Sequence, residues 1–363
     1  MYFLSRTYFV NKPMKVPIRT AITKAYDWSY SLRNASCPRI FITVATTAKR
    51  VYFRAISTVN FLTLFLVRPT YVNVKNNRNT SEVVGLLKLL RPVQWVKNGF
   101  VLAPLVFTGL FTDLSAISSA LLAMVLFCLA SSAVYIVNDY RDIESDRAHA
   151  VKSKTRPLAA GEVSVRQAFT LLALVLAILA SGIWLQPAVM GVIACYLLIN
   201  LAYTFVLKTQ PVLDIFAIAI GFVLRVYAGA VALDVSLSNW MFVTTLCLAL
   251  YLAALKRRQE LVQAGTQGRK VLQYYTVPLI EKYAQMSATG ALLFYTLFVM
   301  TTKPELTMTI PLVIFGFFRY WFVVEIMKEG ESPVDALLHD VQLLLTLALW
   351  ILMSVWALWP GGV

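Results

Sequence analysis

From Ser81 onward, stretches of about twenty mostly apolar residues recur nine times, separated by short polar gaps. A helix of about twenty residues covers the roughly 30 Å hydrocarbon core of a bilayer. This repetition leaves one class for the chain, an all-α polytopic membrane protein. The spans are expected at about 85–112, 114–138, 164–185, 187–207, 211–232, 238–255, 283–301, 307–327 and 338–358. Composition agrees, at 59% hydrophobic and 14% charged residues. Soluble domains have about 45–50% and about 25%, so a soluble enzyme, a disordered tail and a fibrous repeat are excluded for the whole chain.

Charge assigns an orientation. The gaps at Thr112–Asp113, Gln186 and Leu233–Leu237 are short, whereas 139–163, 256–282 and 328–337 are longer and polar. The longer gaps carry Arg141, Arg147, Lys152, Lys154, Arg156, Lys256, Arg257, Arg258, Arg269, Lys270 and Lys282, and Lys208 lies on the same side; the other side offers Lys303. Basic loops stay in the cytoplasm. Nine spans then place the N-terminus in the cytoplasm and the C-terminus outside.

The net charge of +15 divides unevenly. Residues 1–80 hold 13 basic residues against the single acid Asp27, leaving +3 for the remainder. Two domains are expected: a basic N-terminal extension at 1–80, poorly ordered or lying on the membrane surface, and a helical domain at 81–363. The charge does not argue for a nucleic-acid partner. Cys37, Cys128, Cys195 and Cys247 are widely spaced and read as small apolar residues. His149 and His339 are too far apart to suggest a paired metal site and are expected in loops or at their edges.

Chemistry concentrates where span two ends, in Asn138-Asp139-Tyr140-Arg141-Asp142-Ile143-Glu144-Ser145-Asp146. Asp139, Asp142 and Asp146 are spaced i, i+3, i+7, on one face if the helix continues. Three like charges near a membrane repel unless a cation joins them. Carboxylate oxygens suit Mg²⁺, which commonly bridges to substrate phosphates. The alternative is a solvated acidic helix end paired with Arg141 and Arg147. Lys152, Lys154 and Arg156 follow at once and suit further anionic groups, although topology alone makes such loops basic.

Span one needs Arg91-Pro92-Val93-Gln94-Trp95-Val96-Lys97-Asn98 to reach across. Arg91, Gln94, Lys97 and Asn98 fall on one stripe at about 100° per residue, as expected for a wet cavity; snorkelling to the interface is the alternative for both cations. Asp214 opens span five, and Arg225, 11 residues later, is expected to face an anion or a carboxylate. Tyr203 and Lys208 sit at the same end as Asp214.

These residues resemble the UbiA superfamily of membrane prenyltransferases, whose NDxxDxxxD signature matches Asn138–Asp146. The resemblance is stronger with its decaprenyl-phosphate (polyprenyl-phosphate) phosphoribosyltransferase branch. It rests on Leu90-Arg91-Pro92-x-Gln94-Trp95-x-Lys97-Asn98, on Lys154-Thr155-Arg156-Pro157-Leu158-Ala159-Ala160-Gly161, on Val212-Leu213-Asp214 with Gly221–Arg225, on Lys256-Arg257-Arg258-x-Glu260, and on Phe318-Arg319-Tyr320 with Ser332-Pro333. It covers about residues 83–358. It implies a nine-helix bundle with a central cavity open to the cytoplasm, a bacterial inner-membrane location and a Mg²⁺ cofactor. A second DxxxD motif, usual in the superfamily, is broken here by Ile218 after Asp214, which argues against an aromatic acceptor.

The reaction so implied joins phosphoribosyl diphosphate to polyprenyl phosphate and releases diphosphate, making a lipid-linked pentose precursor of cell-envelope glycans. Asp139, Asp142 and Asp146 are the expected metal and catalytic residues. Asn138, Lys97, Asn98, Lys154, Arg156, Tyr203, Lys208, Asp214 and Arg225 are the expected substrate-binding set. The alternatives are a prenyltransferase acting on an aromatic acceptor and an anionic-metabolite transporter. The oligomeric state stays open, a homo-oligomer included.

Overall fold

The computed structural model describes residues 78–148, 151–264, 269–327, 336–337 and 339–360. They belong to a compact unit running from Asn76 to Val363. Expectations for residues 1–77, for His149 and for Ser332-Pro333 lie outside the described residues.

The described residues form helices: α1 (Arg78–Leu89), α2 (Ala103–Phe107), α3 (Leu114–Arg141), α4 (Val165–Ala180), α5 (Pro187–Phe205), α6 (Leu213–Ala232), α7 (Asn239–Ala264), α8 (Val277–Thr302), α9 (Ile310–Phe322) and α10 (Val341–Ala357). A 3₁₀ segment, Pro92–Leu102, joins α1 to α2. Among the described residues, seven stretches are long and apolar enough to cross a membrane: 114–141, 165–185, 187–205, 213–232, 239–263, 277–302 and 304–326. The expected first and last spans do not qualify by that measure, since one is broken and the other, α10, has 17 residues.

The break in the first span has a local cause. Arg91 turns the chain through a left-handed conformation (φ 53°), and Pro92 starts the next element. Pro104 has no N–H for the Phe100 carbonyl, which instead accepts from Ala103. Runs of 3₁₀ helix usually stop after three or four residues; this one has 11. Its rise of about 2.0 Å per residue, followed by α2, still gives a length of about 29 Å.

Helices start where their caps permit. Asp113 accepts from Ser115 N–H ahead of α3, Ser164 and Gln167 form a reciprocal capping box before α4, and Thr276 caps α8. In α3, Ala116, Ala120, Ala123, Phe127, Ala130 and Val134 are all buried. Their 4-3-4-3-4 spacing makes a seam of mostly small side chains, which lets neighbouring helices approach. The same logic applies at Gly229 in α6, where a Cβ would collide with the Val101 carbonyl of the 3₁₀ segment.

α3 and α6 are the central helices, 61% buried over their most apolar windows, against 22% for the stretches at 165–185 and 304–326. α6 packs on α7, α5, the 3₁₀ segment and α3, while α7 and α8 lie together along their lengths. One apolar cluster joins the 3₁₀ segment, α3, α5 and α6 through Val101, Phe127, Ile193 and Ala228. Another joins α7, α8 and the turns beyond them through Tyr251, Leu255, Leu272, Ile280 and Val323. Cys128 is buried as expected, but Cys195 is exposed on α5. His339 is exposed just before α10.

Candidate functional site

The acidic segment does not continue α3. The helix closes at Arg141, Asp142 caps it, and a new short helix runs Ile143–Ala148. The three carboxylates therefore do not form one helical stripe. Asp139, 2% exposed, accepts both Arg91 and Arg156 on its Oδ1. Its buried Oδ2 has no hydrogen-bond partner. Asp142 meets the Lys208 ammonium at 2.7 Å. Asp146, nearly buried, has Lys152 and Arg156 each at 3.9 Å. Among the described residues, no three His, Cys, Asp or Glu side chains converge as a ready metal cage. The cluster is instead a set of carboxylates held by four cations from three segments.

Each cation arrives for a reason. Arg91 stands at the left-handed turn, with its guanidinium 4.8 Å from the centre of the Tyr135 ring. Arg156 is extended between the short helices Lys152–Thr155 and Pro157–Ala160. Lys208 lies in the 3₁₀ turn Leu207–Thr209 that links α5 to α6. Asn138 accepts from the Thr204 hydroxyl at 2.6 Å and so ties α3 to α5. Lys154 is exposed on its short helix.

A second network lies at the start of α6. Arg257, fully buried, donates to Asp214 Oδ2 (2.5 Å), Glu260 Oε2 (2.5 Å) and the Tyr203 hydroxyl (2.9 Å). Arg269 reaches the same hydroxyl at 3.2 Å and Glu260 at 3.4 Å. The Tyr275 hydroxyl donates to Asp214 Oδ1 and accepts the Val212 N–H, both at 2.7 Å. Burial and the neighbouring Asp214 carboxylate raise the Tyr275 phenol above its usual range. Lys256, one turn beyond Leu252, feels the charges of Glu260, Lys97, Arg269 and Arg257. Cations thus outnumber acids here, an arrangement suited to an anion.

Arg225 and Asn98, both expected in the substrate-binding set, lie together in a buried network apart from the acidic cluster. Arg225 pairs with no carboxylate among the described residues. It donates to Asn98 Oδ1 (2.8 Å), the Gly221 carbonyl (2.7 Å) and the Tyr196 hydroxyl (3.0 Å), with the Tyr196 and Phe222 rings against its guanidinium. Asn98 is fully buried, and its amide donates to Ser131 and Cys128. Both are internal fasteners between the 3₁₀ segment, α3, α5 and α6, because neutral oxygens and ring faces satisfy the buried guanidinium. Of the expected set, Asp139, Asp142, Asp146, Arg156 and Lys208 are brought together, and Tyr203 and Asp214 meet in the second network. Arg257, Glu260, Arg269 and Tyr275 were not expected there. One signal was available: Glu260 is the only acid between Asp234 and Glu281, and it lies one turn from Arg257.

Below these charges is an apolar cavity of about 380 Å³, lined by side chains that include Phe100, Val226, Leu248, Leu252, Phe317 and Leu347. On α7 it extends from Met241 to Leu252, about 16 Å at the helical rise. A smaller pocket of about 260 Å³, with Ser236, Ser238 and Lys303, lies at the other end. Phe107, Met241 and Phe298 border both. The Phe107 and Phe298 rings meet edge to face at 5.4 Å.

Residues 101–338 match the UbiA prenyltransferase family. The chain is 42% identical over 221 residues to the decaprenyl-phosphate phosphoribosyltransferase of Mycolicibacterium smegmatis, covering 59% of this chain and 69% of that protein. It is 32% identical over 326 residues to the protein of that name from Corynebacterium glutamicum, covering 83% and 95%. In fold it is similar to a UbiA homolog from Archaeoglobus fulgidus bound to GPP and Mg²⁺, with a TM-score of 0.60 and 21% identity over 76% of this chain and 99% of that one.

Proposed function

Because the chain belongs to the UbiA prenyltransferase family, we propose that the charged end of its bundle is a phosphoribosyl-transfer site facing the cytoplasm of a bacterial inner membrane. The protein is an integral membrane transferase. It moves 5-phosphoribosyl from phosphoribosyl diphosphate to polyprenyl (decaprenyl) phosphate and releases diphosphate. The observation that carries the site is the meeting of acidic and basic clusters above an apolar cavity. A water-borne anion and a lipid phosphate need such a junction.

The three carboxylates form no closed cage, but their hard oxygens are of the kind Mg²⁺ takes. Asp139 offers a buried carboxylate oxygen with no partner, and Asp142 and Asp146 stand close in the chain. Bound through these residues, Mg²⁺ supplies charge neutralisation for the diphosphate leaving group. Arg91, Arg156 and Lys208 already sit at the carboxylates and supply cations for the oxygens of the donor. Lys97, Lys256 and Arg269 attract the acceptor phosphate. That phosphate attacks the anomeric carbon of the ribose as the bond to diphosphate breaks, through an oxocarbenium-like state. It is already ionised, so no general base is required. The cavity walls receive the isoprenoid tail.

Membranes carrying the protein, supplied with radiolabelled phosphoribosyl diphosphate and polyprenyl phosphate, transfer label to the lipid phase. Membranes given prenyl diphosphate and an aromatic acid form no product. Asp139→Asn lowers transfer by about 10²-fold or more without loss of membrane insertion. Full transfer by that variant removes the cluster from the mechanism.

A further inference from the structure

The loop from Tyr203 to Asp214 is fastened at both ends by one side chain. Arg257 donates to the Tyr203 hydroxyl before the loop and to Asp214 after it. Lys208 rides at the middle of the loop, 2.7 Å from Asp142. Just before Asp214 the backbone is strained: Val212 has φ 69° and ψ −47°, the rare positive-φ γ-turn, with Leu213 N–H bonded to the Pro211 carbonyl at 2.8 Å. Such a conformation persists only when its surroundings hold it, at a cost of about 1–3 kcal/mol. The holder is visible. Val212 N–H donates to the Tyr275 hydroxyl, which in turn donates to Asp214.

Resting on the functional reading above, we infer that Arg257 and Tyr275 are positioning residues that clamp the loop so that Lys208 is presented to the carboxylate cluster. Neither needs to touch substrate. Both Asp214 oxygens are occupied by these two side chains, and Asp214 is fully buried. Asp214 is therefore the anchor of the clamp and not a metal ligand. The strain at Val212 is the cost of the presentation, and the Tyr275 hydroxyl offsets it.

The test is a set of variants assayed for the KM of phosphoribosyl diphosphate, alongside kcat. Tyr275→Phe removes only the hydroxyl and should raise that KM by about tenfold, as loss of a hydrogen bond to a charged partner does. Lys208→Ala should raise it by as much or more. The double variant should be no worse than Lys208→Ala alone, because the tyrosine acts through the lysine. Glycine adopts the strained conformation freely, so adding Val212→Gly to Tyr275→Phe should return most of the lost KM. Tyr203→Phe frees the other end of the loop and should raise the KM in the same way, which keeps the test open if Tyr275→Phe does not accumulate. Additive losses, or a KM within twofold of wild type for both phenylalanine variants, overturn the clamp. A wild type that labels no lipid overturns the functional reading first, and is seen before any variant is compared.

Discussion

Asp139 is a carboxylate with one oxygen saturated and one left open inside protein. A buried oxygen without a partner is costly, so native structures keep few of them. That asymmetry separates Asp139 from Asp142, which is half-exposed and held by a single lysine. Asp142→Asn is accordingly expected to weaken transfer less than Asp139→Asn, measured as kcat/KM for the donor. Arg225 gives the opposite contrast. Arg225→Met leaves Asn98 Oδ1, the Gly221 carbonyl and the Tyr196 hydroxyl without their donor. The expected loss is about 1–3 kcal/mol of stability, read as a lower melting temperature in detergent, with donor KM close to wild type. Much of the acidic half of the site was legible in the sequence, because carboxylates are rare in this chain and three of them crowd together. Asn98 and Arg225 were legible as buried polar residues but not in their roles. A polar group inside a membrane needs a partner, and periodicity cannot distinguish a substrate from a neighbouring helix. Arg257 was read as a loop charge and as part of a family motif but was given no place in the site, because Lys256-Arg257-Arg258 is also what loop topology demands.

At the level of elements, α3 to α9 were legible from apolar length, although α7 runs to Ala264 past its expected end near 255 and α8 starts at Val277 ahead of its expected start near 283. The first span was not. Its polar stripe was reckoned at about 100° per residue, whereas a 3₁₀ helix repeats every 3.0 residues. Gln94 and Lys97 therefore eclipse one another, and Asn98 turns into the bundle instead of sharing their face. The close seating of this segment on α6 depends on Gly229. Gly229→Ala is expected to cost about 1–3 kcal/mol by overpacking, visible as a lower melting temperature. α10 depends on its N-cap residue. Asp340 accepts the Leu343 N–H and pairs with Arg319 at 2.7 Å. The Arg319 hydrogen bond holds the Asp340 carboxyl below the usual carboxylate range. Its contribution to stability is complete above about pH 3.9 and is lost as pH falls through the depressed folded value. Asp340→Asn should abolish that part of the acid dependence in a melting-temperature series across pH 3 to 6.

At the scale of the molecule, the bundle sorts its chemistry by depth. Charge gathers at one end, hydrocarbon-like walls occupy the middle, and a smaller pocket with Ser236, Ser238 and Lys303 closes the other end. Hydropathy made the class legible, and the resemblance to a known family made the reaction legible. The cavity itself was not, because its walls are assembled from segments far apart in the chain. Between the two ends stand Phe107, Met241 and Phe298, nearly buried and in mutual contact with the central cavity. Among the described residues, these three side chains offer an elementary charge no polar footing, and forcing one past them costs at least several kcal/mol. The wall is therefore an electrical insulator. A catalyst that handles highly charged substrates at one face keeps the transmembrane voltage intact, and vesicles carrying it should hold a proton gradient as long as empty ones do.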